Sequence, residues 1–166
     1  MATATWVKDM LKGASFEELH HDDAYTAQAV AQREHVTGHR VAKVVVAMAD
    51  HRPVELILPA SRRVLLDRVK AILGAGEVRL AREEEIERHF NDCETGAIPA
   101  LRHWPGVEIL MDRTLRNPGD IVFQAGTHRD AVRMNFDDWF EIVRPRIEDF
   151  SEIPFVSRDF TLEGDY

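Results

Sequence analysis

Arg40 to Asp50 reads RVAKVVVAMAD, and the fold of the chain turns on how this stretch is read. Its apolar residues fall on both alternating registers, Val41, Val45 and Ala47 on one side and Ala42, Val44, Val46 and Met48 on the other. Such a β-branched run predicts a strand covered on both faces. Lys43 interrupts it. A lysine there either carries its ammonium past the sheet end into water or points it into a cavity where an anionic partner offsets the lost hydration. The strand by itself leaves both readings open.

Working outward, Asp50 to Pro53 reads as a turn and Val54 to Leu58 as the returning strand of a β-hairpin, ended by Pro59. Upstream, Trp6, Val7, Met10 and Leu11 have helical spacing and Gly13 stands at the C-terminal cap. Ser15 to His21 reads as a strand that points His20 and His21 to opposite faces, so they do not share one metal. Tyr25 and Thr26 open a second helix with Ala27, Val30 and Ala31 inward. Downstream, Ser61 is expected to cap a helix with a Leu65, Val69, Ile72 and Leu73 stripe closed by Gly74. Glu77 to Leu80 is a short strand, Arg82 to Phe90 a charged helix and Asn91 to Pro105 a long loop. Val107 to Met111, Ile121 to Gln124 and Ala131 to Met134 are further strands. Phe136, Trp139, Phe140 and Val143 mark a last helix that ends before Pro145. Many short strands with a few helices predict an α+β domain built on a mixed, partly barrel-like sheet with surrounding helices.

The chain has 166 residues, 45% apolar and 30% charged, which suits one domain with a sizeable core. We expect the domain over residues 1–150 and an acidic tail over 151–166. The apolar residues of that tail follow no period, so truncation after Ser151 is expected to leave a folded domain. Neither a signal peptide nor a membrane-spanning run is evident, and with Cys93 the single cysteine, a cytoplasmic, reducing location is expected. The net charge of -8 argues against an extended nucleic-acid footprint and against DNA as a partner. From Ile147 onward, six acids (Glu148, Asp149, Glu152, Asp159, Glu163, Asp165) face one base (Arg158), a local balance of -5 that leaves -3 for the body. RNA contact is therefore expected to be local, with Arg62, Arg63, Arg102 and Arg129 as the nearest phosphate contacts.

Catalytic signatures are few. There is no nucleophile elbow, Walker A loop, dinucleotide fingerprint or Cys-x-x-Cys pair, and the eight histidines lack metal-site spacing. No cofactor or metal is expected. Cys93, between Asp92 and Glu94, reads as a structural thiol, since neighbouring acids suppress the thiolate. Two loops remain as candidates: Thr95-Gly96-Ala97-Ile98-Pro99, a fixed turn able to aim backbone N–H groups, and Ala125-Gly126-Thr127-His128-Arg129, whose glycine allows close approach of a ligand.

AYTAQAVA at 24–31, VAKVVV at 41–46, FNDCETGAIP at 90–99 and FQAGTHRDAVRMNFDDW at 123–139 together resemble, in order and spacing, the YbaK and prolyl-tRNA synthetase-associated editing domains. The resemblance runs from about Phe16 to Pro145. It implies a free-standing trans-editing aminoacyl-tRNA deacylase that hydrolyses the ester of mischarged tRNA at its acceptor end, with an aminoacyl-tRNA synthetase as a further partner. The alternative is a binding module of the same fold that holds aminoacyl-tRNA or a synthetase without hydrolysis. By the resemblance, Lys43 holds the substrate end of the tRNA, and Gly96, Ala97, Ile98 and Pro99 shape the amino-acid pocket. Tyr25 and Thr26 flank that pocket, and Gly126 and His128 form its second wall. It also implies that the substrate's own terminal ribose hydroxyl assists hydrolysis. The chain departs from the family pattern at Ala100, where a closing proline is usual. An aminoacyl ester is already activated, so a positioned water, oxyanion donors and a clamp suffice, without a triad or metal.

Overall fold

The computed structural model describes residues 5–21, 29–31 and 40–154, and it centres on the hairpin expected from the opening stretch. Strand β2 (Val41–Ala49) pairs antiparallel with β3 (Arg52–Pro59) along its length, from Ala42 opposite Pro59 to Ala49 opposite Arg52. The turn is tighter than expected. Asp50 and His51 alone form it, both at positive φ (47° and 68°), the two-residue geometry whose twist matches paired strands. The Asp50 carboxylate accepts the amides of Gly76 and Glu77 at 2.9–3.1 Å, tying the turn to the segment before β5 (Val78–Leu80). Those backbone donors hold the Asp50 carboxyl below its ordinary pKa.

Around this hairpin lie β1 (Phe16–His20), β4 (Arg63–Val64), β6 (Glu108–Asp112), β7 (Asp120–Gln124), β8 (Asp130–Asn135), β9 (Arg146–Glu148) and β10 (Ser151–Glu152). The main sheet runs β1-β8-β7-β2-β3-β6-β9, with β5 also on β2. Pairing is parallel for β2 with β7, β3 with β6 and β6 with β9, and antiparallel elsewhere, a mixed sheet as expected.

Both faces are covered. On one, Ala42, Ile57, Ile109, Phe123 and Val132 pack with Val7 and Leu11 from the segment of α1 (Thr5–Met10) and with Phe136, Trp139 and Val143 of α4 (Phe136–Val143). On the other, Ala47, Leu56, Leu58 and Leu110 pack with Val69 of α2 (Leu66–Leu73) and with Phe150. A smaller cluster joins Val30 and Ala31, from the helical residues 29–31, to Val41, Val122 and Ala131. The charged helix α3 (Glu83–His89) presents no buried residue, but its C-cap Phe90 is fully buried. Asn135 caps α4 by accepting the Asp138 amide, and Gly74 ends α2 at a φ of 62°. No helix among the described residues is long and apolar enough to cross a membrane.

Two expectations change. Ser61 does not cap α2: Arg63 and Val64 first form β4, and the helix begins after Leu65 without a side-chain cap. β4 instead pairs with β10, whose residues were expected to belong to the tail. Arg62 Nε donates to Ser151 Oγ at 2.7 Å, Arg63 Nε donates to Glu152 Oε1 at 2.7 Å, and Ser151 is buried. The body therefore extends past 150, and a cut after Ser151 severs β10. A chain ending at Phe150 is expected to melt below one ending at Pro154, by about 2–4 °C for each kcal/mol lost. Equal melting temperatures in scanning calorimetry would show that β10 contributes nothing.

Candidate functional site

The middle of β2 is where the sheet opens. Val41 and Ala42 are buried, Lys43, Val44 and Val45 are only half-buried, and Val46 to Ala49 are buried again. β7 pairs with β2 only at Val41 and Ala42, and β5 only from Ala47 to Ala49. Ala81 extends the second ladder by donating to the Val46 carbonyl at 2.9 Å. Neither strand therefore covers the edge from Lys43 to Val45. A central strand is ordinarily the best-shielded part of a sheet, so three half-buried residues in succession mark this as the accessible part of β2.

β7 departs because its parallel course, with Phe123 opposite Ala42, continues into Ala125 and Gly126 instead of a ladder. Gly126 has a φ of 98°, a conformation that glycine adopts without strain. Two backbone bonds bind this turn to the longer loop, Glu94 N donating to Gly126 O at 2.7 Å and Gly126 N to Ala97 O at 3.1 Å, and a third, Ala97 N to Glu94 O at 3.0 Å, closes the longer loop on itself. Gly96, within that braid, has a φ of 85°. Ile98 then turns inward and packs with Val46 and Phe90, with Val44 against them. The two candidate loops thus meet each other and flank the opening.

Side chains hold both loops. The Pro99 carbonyl accepts Leu101 N at 2.8 Å and faces His103 Nε2 at 3.1 Å, while the Trp139 indole donates to Ala100 O at 2.7 Å. Ala100 is fully buried, so the loop that lacks its closing proline is anchored from α4 instead. In the second loop, the fully buried Asp130 carboxylate lies 2.5 Å from His20 Nδ1 and accepts the Thr127 hydroxyl at 2.5 Å. The His128 amide donates to Glu94 Oε2 at 3.0 Å, and its ring Nε2 lies 3.6 Å from the same oxygen.

The structure thus brings Gly96, Ala97, Ile98, Pro99, Gly126 and His128 together beside the strand that carries Lys43. Tyr25 and Thr26 lie outside the described residues. Sequence reasoning missed Glu94, Asp130 and Trp139 as loop supports. Asp130 had a signal, a short acceptor closing the Gly-Thr-His-Arg turn; Trp139 read only as a core residue.

The expected phosphate contacts need correction. Arg62 and Arg63 bond Ser151 and Glu152, and Arg102 donates to Val107 O at 2.8 Å and Val143 O at 3.0 Å. These guanidiniums serve the fold. Cys93 is half-buried and donates to Phe90 O at 3.3 Å. Burial first, then Asp92 and Glu55, push its thiol up to about 12, so Glu55 takes the part expected of Glu94. No three His, Cys, Asp or Glu side chains among the described residues converge as a metal site. A cavity of about 750 Å³ lies by the hairpin turn, lined in part by Asp50, Arg52, Trp104, Glu108 and Arg146. It holds none of the expected site residues and mixes charges of both signs.

A family model described as an aminoacyl-tRNA editing domain matches residues 21–142. The chain is 27% identical over 117 residues to a proline–tRNA ligase of Streptococcus equi subsp. zooepidemicus and, equally, to one of subsp. equi. That stretch is 70% of this chain and 18% of the ligases, so the chain spans under a fifth of these relatives. Among solved structures, one described as a candidate trans-editing enzyme for prolyl-tRNA synthetase superposes with a TM-score of 0.78 at 17% identity, covering 88% of this chain and 94% of that one. Hypothetical protein APE2540 superposes with a TM-score of 0.77 at 19% identity, covering 89% and 97%. At such identities these likenesses speak for the fold.

Proposed function

The chain belongs to the aminoacyl-tRNA editing domain family, and from that premise we propose that it is a trans-editing aminoacyl-tRNA deacylase, acting as a free-standing cytoplasmic factor on the acceptor end of mischarged tRNA. The observation that carries this reading is the opening at Lys43–Val45, flanked by two loops braided through Glu94, Ala97 and Gly126.

Hydrolysis of an aminoacyl ester needs water held against the carbonyl and donors for the oxyanion that forms. The amides of Ala97 and Gly126 already bond within the braid, which leaves the amides of Gly96 and Ile98 as the oxyanion donors of the 96–99 loop. Lys43 clamps the terminal phosphate or ribose and stabilises developing negative charge. By family resemblance, the terminal ribose hydroxyl of the tRNA assists the attack. Ile98, with Val44 and Val46 behind it, sizes the pocket, and His128, set by Glu94, walls its far side.

The test is a panel of mischarged tRNAs incubated with this protein alone, beginning with proline tRNA because the relatives are proline–tRNA ligases. Free amino acid is expected from at least one substrate; binding without release would make the chain the non-catalytic module. Cys93→Ser is expected to change the rate by less than about twofold, since a thiol pushed up to about 12 is almost wholly protonated at neutral pH. Abolished turnover in that folded variant would sink the clamp-and-loop mechanism. With three of the four expected arginines engaged in the fold, the salt dependence of tRNA binding is expected to correspond to roughly one or two phosphates. A slope several times steeper would reveal an extended basic surface.

A further inference from the structure

Behind the pocket loop lies a carboxyl that the proposed chemistry does not use. Glu55 sits on β3 opposite Val46 of β2 and Ile109 of β6, with no exposed surface, and among the described residues neither carboxyl oxygen has a hydrogen-bond partner of good geometry. A buried polar group left in that state costs stability, so its presence asks for a role. Its near neighbour is His103. Glu55 Oε1 lies 3.2 Å from His103 Nε2, the same nitrogen that lies 3.1 Å from Pro99 O. The His103 ring is fixed: its centroid is 4.7 Å from that of Trp6 on one side and 4.7 Å from Phe90, edge-on, on another.

We propose that Glu55 and His103 form a positioning pair that fixes the Pro99 carbonyl, and with it the 96–99 loop, in the shape that discriminates among esterified amino acids. This rests on the reading of that loop as the wall of the amino-acid pocket.

The chemistry follows from one nitrogen. Pro99 O is an acceptor, so the contact is attractive only when Nε2 carries hydrogen. A neutral imidazole has one such nitrogen, and its neighbours select which. A bare Nε2 would set its lone pair against Pro99 O; the Nε2–H tautomer satisfies that carbonyl, and with any carboxyl proton on Oε2, Glu55 Oε1 faces the same N–H as an acceptor. Although 3.2 Å is within ion-pair reach, burial disfavours charge on both partners. Burial drives the Glu55 carboxyl well above its ordinary range, against a weaker pull from Arg102. Burial also lowers His103, against the Pro99 carbonyl and Asp92. Among the described residues, Arg102, Asp92 and the Cys93 thiol are the other titratable groups that act on the pair or feel it.

Two substitutions at Glu55 separate positioning from packing. Glu55→Gln keeps an oxygen for Nε2–H, and Glu55→Leu removes it while filling the space. Because the folded Glu55 carboxyl has a raised pKa, its contribution to stability is present at low pH and declines as pH rises above the unfolded value. Glu55→Leu is therefore expected to melt no lower than wild type, with the larger gain at pH 8 than at pH 5. The same variant is expected to lose discrimination between amino acids one methylene apart by about tenfold, with Glu55→Gln staying within about threefold of wild type. Nitrogen-15 spectra of the imidazole give a readout independent of turnover: Nε2–H for wild type and Glu55→Gln, a tautomer mixture for Glu55→Leu. His103→Phe keeps the ring packing and is expected to speed hydrogen exchange at the Ala97 and Gly126 amides. Unchanged discrimination and an unchanged tautomer in Glu55→Leu would overturn the proposal, as would unaltered exchange in His103→Phe. If wild type released no amino acid from any tRNA, the deacylase reading would fall, and the spectra and exchange rates would still decide whether the pair positions the loop.

Discussion

Lys43→Ala is expected to lower kcat/KM for deacylation by roughly tenfold to a hundredfold or more, with the fold intact. Lys43 lies at the one stretch of β2 that neither β7 nor β5 covers, and it is half-buried where the strand on either side is buried. A charged hydrogen bond to the tRNA end is worth about 1.5 to 3 kcal/mol, which sets the size of the loss. The melting temperature should change little, because β2 keeps its full ladder with β3 and the apolar clusters on both faces do without this side chain. Lys43→Arg keeps the charge but replaces a compact ammonium with a planar fork, so partial recovery is expected. Single-turnover deacylation read beside calorimetry decides the matter. Wild-type efficiency in a folded Lys43→Ala protein would remove the clamp from the mechanism.

Gly96→Val is expected to do comparable harm by a different physical route. Gly96 holds a φ of 85°, a region where a β-branched residue is a genuine outlier, with strain on the order of 1–3 kcal/mol. Relief of that strain has to rotate the backbone between the Glu94 and Ala97 anchors, which breaks the bonds joining this loop to Gly126 and misdirects the Gly96 and Ile98 amides. Loss of one oxyanion donor typically costs about a hundredfold or more in kcat. Gly106→Val is the control. Gly106 has nearly the same φ, 86°, with nothing within 4 Å of an added Cβ, and it lies by the hairpin-turn cavity, outside the two loops. Both variants carry the same kind of backbone strain, but only Gly96→Val should lose turnover. Equal losses of activity would mean that general destabilisation, not the loop, explains the effect.

Much of the architecture was legible because it is written in nearest-neighbour terms. The two-sided apolar run of β2, the Phe136–Trp139–Val143 stripe of α4 and the Gly74 cap each follow from local periodicity or a single backbone preference. The residues around the opening, Lys43 and the 96–99 and 126–128 loops, were legible too, through short motifs in a fixed order; the residues alone left Lys43 open between two readings.

What the sequence by itself determined is therefore the α+β class, the central hairpin and the two loops that meet beside β2. The tertiary structure alone decided how those residues are held, because the holding contacts join segments far apart in the chain and leave no period to read. β4 and β10 are two residues each, too short to alternate, and find each other only because Phe150 packs against the core. His20 reaches Asp130 across 110 positions. Arg62, Arg63 and Arg102 read as free cations, since no local rule tells a guanidinium facing water from one facing a carbonyl. No local rule links Glu55 to His103, and burial, which depends on every neighbour at once, sets both against charge beside the Pro99 carbonyl.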